Sequence, residues 1–389
     1  MKNSIDVATA ALFLAVTVGL AAAFWLAPDK TFSEDENRVL EPLPTPSVRS
    51  WLEGTLPLRL SDYYTDQIPL RSELVGLAST AQIVTGRGEA NGVLWDGGDR
   101  LAVRRFDAYL DRTTRAEDTD LYDPTHIEAS LDAVASLDAR ADVPVTLLIA
   151  PRVIDVASGD FGYPMAISDG LHEAILHAAD GRIHNVDVWG TLRAMHESGD
   201  AVYYRTDHHW TTLGAYTAYR AILASWGMED ETLPADAFTV REIPDFYGTT
   251  WSRAGLYGVS PDTPEIWEVP DDDAYAVLDA DGNVLIHGFI DERYLTTKDK
   301  YGAFLGGTHS LIRVECTENT DRPRLLVARD SFASTVIPFL ARHFDIVAVN
   351  LSGGMTELST YAAQYDCDRI LILCNAENLV TSDALRRIN

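Results

Sequence analysis

The chain has 389 residues, 46% of them hydrophobic and 23% charged, enough to build a large core and too apolar for extensive disorder. Its 59 acidic against 31 basic side chains give a formal net charge of -28. That charge argues against nucleic acid and against anionic lipid head groups as partners, and leaves a neutral glycan or small ester unopposed.

The first feature in chain order is Val7 to Ala27, a run without a charge that is long enough to span a bilayer. Ala21-Ala22-Ala23 offers a signal-peptidase site, which would release a secreted protein, but Phe24-Trp25-Leu26 carries the apolar run beyond it. The run therefore reads as an uncleaved anchor, with the N-terminus inside and the bulk of the chain outside the cytoplasm. Residues Asp29 to about Pro57 are rich in Pro, Ser and charge, as in a linker. Leu56 to Ile83 then reads as helical, broken at Pro69, and Asn91 to Gly98 as a turn-rich β segment. Arg112 to Asp123 is charged and reads as an exposed loop.

From Pro124 the pattern becomes regular. A helix from Pro124 to Ala141 leads into the apolar run Val145 to Pro151, which has the character of a buried parallel strand. A helix from Leu171 to Ala179, a strand from Ile183 to Trp189 and a helical turn from Leu192 to Glu197 follow. Val202-Tyr203-Tyr204 reads as a short strand entering a helix whose apolar positions are Leu213, Tyr216, Tyr219, Ile222, Leu223 and Trp226, with Thr211 or Thr212 as cap and Gly227 as stop. Residues from about Leu233 to Arg322 break the rhythm and predict a β-rich insertion over one end of the sheet, with a hairpin at Asp281-Gly282. Strands at Leu325 to Ala328, Ile346 to Asn350 and Ile370 to Cys374 restore it. The alternation predicts an α/β fold with a parallel central sheet. Three cysteines, Cys316, Cys367 and Cys374, make neither a disulfide framework nor a structural zinc site.

Two junctions carry candidate chemistry. Asp207-His208-His209-Trp210 stands just before the helix that starts near Leu213, where the helix dipole disfavours a protonated imidazole. In an extended segment only His209, two positions on, shares a face with Asp207. Ser331 follows the strand Leu325 to Ala328 and opens a second helical pattern through Phe332, Val336, Ile337, Leu340 and Phe344, with Pro338 near its first turns. Free amides at such a start can donate to an oxyanion. The plainer readings are that Asp207, Asp330 and Ser331 cap helices and that the histidines are satisfied core residues. Asp207, His208 and His209 are also good zinc or manganese ligands, although the other histidines have no metal-binding spacing. His309, in Gly306-Gly307-Thr308-His309, is a turn residue that would reach such a site only from the insertion.

The chain resembles the bacterial DHHW family, which is similar to the alginate O-acetyltransferase proteins with SGNH-hydrolase-like domains. The likeness rests on Phe32-Ser33-Glu34-Asp35-Glu36-Asn37-Arg38-Val39-Leu40, Asp207-His208-His209-Trp210, Thr297-Lys298-Asp299-Lys300-Tyr301 with Gly306-Gly307, Arg329-Asp330-Ser331-Phe332 and Ile337-Pro338-Phe339-Leu340. One position departs: Arg329 stands where SGNH enzymes usually have Gly. The resemblance implies a three-layer SGNH-like domain over residues 91–389, with an insertion at about 233–322, behind an anchor (1–28) and a linker with a helical segment (29–90). It implies catalysis by Asp207, His209 and Ser331, without a metal or cofactor, as an O-acetyltransferase or acetylesterase on a cell-surface or exported polysaccharide. It also implies a membrane-bound O-acyltransferase as partner. The alternative is a catalytically silent glycan-binding or assembly protein, in which Trp251, Tyr257, Trp267 and Tyr275 would stack on sugars in either case.

Overall fold

The structure, a computed structural model, describes residues 2–33, 35, 38–104, 123–161, 170–319, 321–353 and 357–389. The loop expected over Arg112 to Asp123 lies outside them except for Asp123, as do Glu34, Glu36 and Asn37 of the Phe32 to Leu40 stretch. The chain divides into two compact units, residues 1–91 with 251–258, and residues 92–250 with 259–389.

The first unit begins with the helix Lys2–Leu26, whose stretch Asp6–Leu26 is long and apolar enough to cross a membrane. The segment expected to be a linker is more structured than its composition suggests. Phe32 pairs with Val39 and Ser33 with Arg38, and the short helix Val48–Leu52 is capped reciprocally by Ser47 and Ser50. Its anchor is a forked ion pair from Arg38 to Asp66, at 2.9 and 2.5 Å, which also holds the Asp66 carboxyl below its usual range. Helices Thr55–Asp66 and Arg71–Val84 are interrupted around Pro69, where Leu70 takes a left-handed backbone with φ 59°.

The second unit is built on an eight-stranded sheet. Five strands, Asp345–Asn350, Arg324–Arg329, Arg369–Asn375, Val145–Ala150 and His184–Asn185, lie side by side in that order and are parallel. Alternate residues feed two separate cores. Leu148, Leu325, Val327, Ile346, Leu371 and Leu373 face the helix Thr212–Ser225, whereas Leu147, Leu326, Val347, Ile370 and Ile372 face the helices Pro124–Asp138, Gly170–Ala179 and Leu358–Gln364. Burial on both faces explains why the first four of these strands read as apolar runs, while His184–Asn185, at the sheet edge, does not.

Three sequence expectations need correction. The region of about 233–322 does more than lie over one end of the sheet: Leu311–Cys316, Tyr275–Leu278 and Val284–His287 extend it edge to edge, antiparallel to Asp345–Asn350 and to one another. The strand expected over Ile183 to Trp189 is only the pair His184–Asn185, because Trp189 opens the helix Trp189–Glu197. Among the described residues, Val202 to Tyr204 joins no sheet and makes a single bridge, Tyr203 to Trp210, closing the loop between them.

From Arg324–Arg329 the chain steps to Asp345–Asn350 on one side and then crosses to Arg369–Asn375 on the other. The C-terminal end of a strand flanked in this way is the crevice where open α/β sheets place their ligands. Ser331 lies there.

Candidate active site

The loop from Arg205 to Thr211 is shaped by one buried carboxylate. Asp262 accepts hydrogen bonds from the Arg205 and Thr206 amides and from the Thr206 hydroxyl, the last two at 2.8 and 2.6 Å. The Thr206 hydroxyl in turn accepts from the Gly248 amide. Below the loop, the buried Tyr203 hydroxyl donates to the Pro151 carbonyl. Thr211 caps the helix Thr212–Ser225 by accepting from the Gly214 amide, and the chain leaves at Gly227 with φ 72°.

Asp207 is only 1% exposed, yet all its lone-pair directions are used. Oδ2 accepts from the His209 amide and from His209 Nδ1, at 3.2 and 2.5 Å, and Oδ1 accepts from the Thr249 amide and hydroxyl, at 2.7 and 2.8 Å. Because the Thr249 hydroxyl donates to Asp207, it accepts from His208 Nδ1, 2.6 Å away. Burial alone would raise the Asp207 carboxyl, but the charges and hydrogen bonds of His208 and His209 outweigh it and hold it well below the usual carboxylate range. His209 is lowered to about 4 by its burial and by the neighbouring His208, against the pull of Asp207. It is therefore neutral near pH 7, with its proton on the Nδ1 that faces Asp207 and a lone pair on Nε2.

That lone pair points at Ser331. His209 Nε2 and Ser331 Oγ are 2.7 Å apart across 122 residues of sequence. The expected long helix after Ser331 is instead a 3₁₀ turn, Ser331–Thr335, followed by the short helix Ile337–Leu340, in which Pro338 fits the first turn and kinks nothing. Asp330 caps the turn: its Oδ1 accepts from the Phe332 amide, and its Oδ2 from the Asn375 amide and Asn378 Nδ2. The Phe332 amide is thus committed to a carboxylate and is not available to an oxyanion. Burial raises the Asp330 carboxyl despite these three donors. Trp210, fully buried, donates from its indole nitrogen to the Phe332 carbonyl and to Thr335 Oγ1, tying the histidine loop to the serine turn. Arg329 is buried beneath the turn and donates to Ser334 Oγ. Chemically, a hydroxyl, a neutral imidazole and a carboxylate in this order can pass the hydroxyl proton to Nε2 and balance the resulting charge.

The profile of the DHHW protein family matches residues 128–350, more than half of the chain. The chain belongs to the DHHW family. No curated protein matches it. Among solved structures it is similar to a DHHW family protein from Eubacterium siraeum, with a TM-score of 0.59 and 18% identity over 77% of this chain and 95% of that one. It is also similar to Bacillus cereus PatB1 with a sulfonyl adduct, with a TM-score of 0.58 and 18% identity over 76% and 97% of the two chains. At these identities the likeness is one of fold.

The structure brings together Asp207, His209 and Ser331, the three residues singled out in this DHHW sequence. Ligand atoms of Asp207, His208 and His209 also lie within 4.8 Å of one another. An ion there would have to displace the hydrogen bonds that orient His209. His309 stays in its own turn, bonded to the Gly306 carbonyl, and Lys300 donates to the Pro244 carbonyl. Trp267 is half-buried and packs against Tyr216, Phe238 and Phe339, whereas Tyr275 is buried beneath Arg342 and offers no face to a sugar. Three contributors had no role in the sequence reading: Thr249 and Asp262, which show no local signal, and Tyr301, which closes the Thr297 to Tyr301 family motif.

Proposed function

We propose that this protein is an extracytoplasmic, serine-dependent O-acetyltransferase or acetylesterase acting on a cell-surface or exported polysaccharide. The observation that carries the reading is the continuous chain of short contacts from Asp207 through His209 to Ser331 Oγ, 2.5 and 2.7 Å, at the C-terminal edge of the parallel sheet. Ser331 Oγ attacks the acetyl carbonyl and its proton passes to His209 Nε2. Asp207 fixes the tautomer and balances the imidazolium. Collapse of the tetrahedral intermediate breaks the bond to the donor's leaving group, which takes the proton from His209, and leaves acetyl on Ser331. A sugar hydroxyl or water then gives its proton to His209 and attacks the acetyl carbon; the bond to Ser331 Oγ breaks as His209 returns that proton to it, restoring the serine hydroxyl and the neutral imidazole.

The residues that resemble the alginate O-acetyltransferase pattern support this assignment, and PatB1, similar in fold, is known with a sulfonyl adduct. We read residues 91–389 as an SGNH-like domain held outside the cell by the helix at residues 1–28, through the segment 29–90. A membrane-bound O-acyltransferase is the partner suited to deliver acetyl groups to such a site. The commitment of the Phe332 amide to Asp330 favours, as second reading, a silent glycan-binding protein on the same fold.

The test compares the parent with Ser331→Ala, using an acetyl ester and a glycan acceptor together. The parent transfers or hydrolyses acetyl, and the folded variant loses at least about 10³ of that rate. A folded Ser331→Ala protein as fast as the parent, or a reaction stopped by chelation alone, overturns the serine mechanism. A parent that binds glycan without acetyl chemistry selects the second reading.

A further inference from the structure

Tyr301 touches both partners of the proton transfer. Its ring lies 3.7 Å from the His209 ring, centroid to centroid, and 8° from parallel. The His208 ring is 3.8 Å from His209 at 38°, and two rings so close cannot share one face, so His209 is sandwiched between them. On its other end, the Tyr301 hydroxyl donates to the Ser331 carbonyl at 3.0 Å, with Thr335 Oγ1 at 3.4 Å. Tyr301 is buried, and burial pushes its phenol far above the ordinary value, so the hydroxyl remains a donor at every working pH.

We propose that Tyr301 is a positioning residue for acyl transfer: its ring fixes the plane of His209 while its hydroxyl fixes the backbone of Ser331, so one side chain sets the separation of base and nucleophile. The inference rests on the serine mechanism for its catalytic meaning, and on the packing alone for its effect on His209. An imidazole held on both faces cannot swing away from Oγ, which keeps the reacting atoms in an attack geometry where small displacements are costly. When His209 takes the proton, the Tyr301 face lies against the new cation, an arrangement that favours the charged intermediate. The charged groups around His209 are Asp207 and His208, and those around Tyr301 are Asp207, Asp330 and Arg329.

Full-length Tyr301→Phe and Tyr301→Leu separate the two contributions, read by kcat and KM on an acetyl ester and by NMR titration of the His209 ring. Tyr301→Phe keeps the stack and loses the carbonyl bond: kcat falls about fivefold and the His209 titration does not move. Tyr301→Leu leaves one imidazole face unpacked: kcat falls about 100-fold with KM within about twofold, and His209 titrates higher as water relieves its burial. The proposal is overturned if Tyr301→Phe equals the parent in kcat, if Tyr301→Leu is no slower than Tyr301→Phe, or if His209 titrates unchanged in Tyr301→Leu. If the parent shows no acetyl chemistry, the mechanism above fails and the NMR titrations alone decide the positioning role. If Tyr301→Leu does not fold, the Tyr301→Phe readings decide: a moved His209 titration or a parent kcat overturns the proposal.

Discussion

Gly248 lies so close to Asp207 that a Cβ on it would stand 2.2 Å from the Asp207 Cβ and 2.5 Å from Oδ1. The same backbone leads directly to the Thr249 amide that bonds Oδ1, so the close approach and the hydrogen bond are one feature. Gly248→Ala should push the carboxylate away from His209. Overpacking of this kind costs about 1–3 kcal/mol, and a loss of kcat/KM of more than about tenfold should accompany the lower melting temperature. Parent activity in the alanine variant would show that Asp207 has room to move.

Asp207→Asn tests the carboxylate more directly. An amide in its place can present its NH₂ to Nδ1, which favours the tautomer with the proton on Nε2 and removes the base facing Ser331. The expected loss is about 10⁴ in kcat with the fold retained. Acetyl-ester turnover and circular dichroism, measured on the same preparation, check both parts.

Trp210→Phe removes the indole N–H that serves the Phe332 carbonyl and Thr335 Oγ1 in a fully buried place. Leaving those acceptors without their donor costs about 1–3 kcal/mol, visible in urea denaturation. Because Phe332 adjoins Ser331, kcat should fall too, whereas a change confined to stability would mean that the serine turn holds itself.

Much of this architecture is readable without coordinates because burial on two faces leaves its mark on composition. Val145–Ala150 and Leu325 to Ala328 are apolar without interruption because each strand feeds both cores. Asp330 and Thr211 announce caps by residue type and place. The edge strands Tyr275–Leu278 and Val284–His287 are harder: their hairpin is legible from Asp281-Gly282, but nothing local says that it extends the main sheet. The approach of His209 to Ser331 is beyond any spacing rule, since it depends on where two distant loops end. The two junctions offered a base and a nucleophile as candidates, and the family resemblance supplied the role of each. Tyr301 follows a polar run, Lys298 to Lys300, whose charges draw attention away from the buried aromatic beside them.

The helix stretch Asp6–Leu26 has 21 residues, about 32 Å at 1.5 Å per residue, which matches a hydrocarbon core of about 30 Å. The intact chain should sediment with membranes and resist alkaline carbonate. Protease added to wall-stripped cells should digest the globular part. Full protection behind a sealed membrane would reverse the topology, and recovery in the medium of a chain lacking the helix would identify a cleaved signal.

The last prediction concerns pH. His209 is lowered from 6.5 to about 4 by its burial first and by the His208 charge second. Between those two values the unfolded chain binds more protons at this group than the folded chain does, so its contribution to stability is complete above about 6.5 and is lost as pH falls toward about 4. Asp207, held well below its ordinary range, loses its contribution only at still lower pH. His208 has the opposite sign. Its partial burial is outweighed by Asp207 and its pKa is raised, so its contribution is present in acid and disappears as pH rises through its folded value. Activity should follow the base: the acid limb of kcat/KM should fall near 4, not near 6.5. His208→Gln removes the neighbouring cation while leaving the burial and Asp207 in place, so the limb should move to higher pH. A parent limb near 6.5 that His208→Gln leaves unmoved would contradict this account of His209, whatever the fate of the serine assignment.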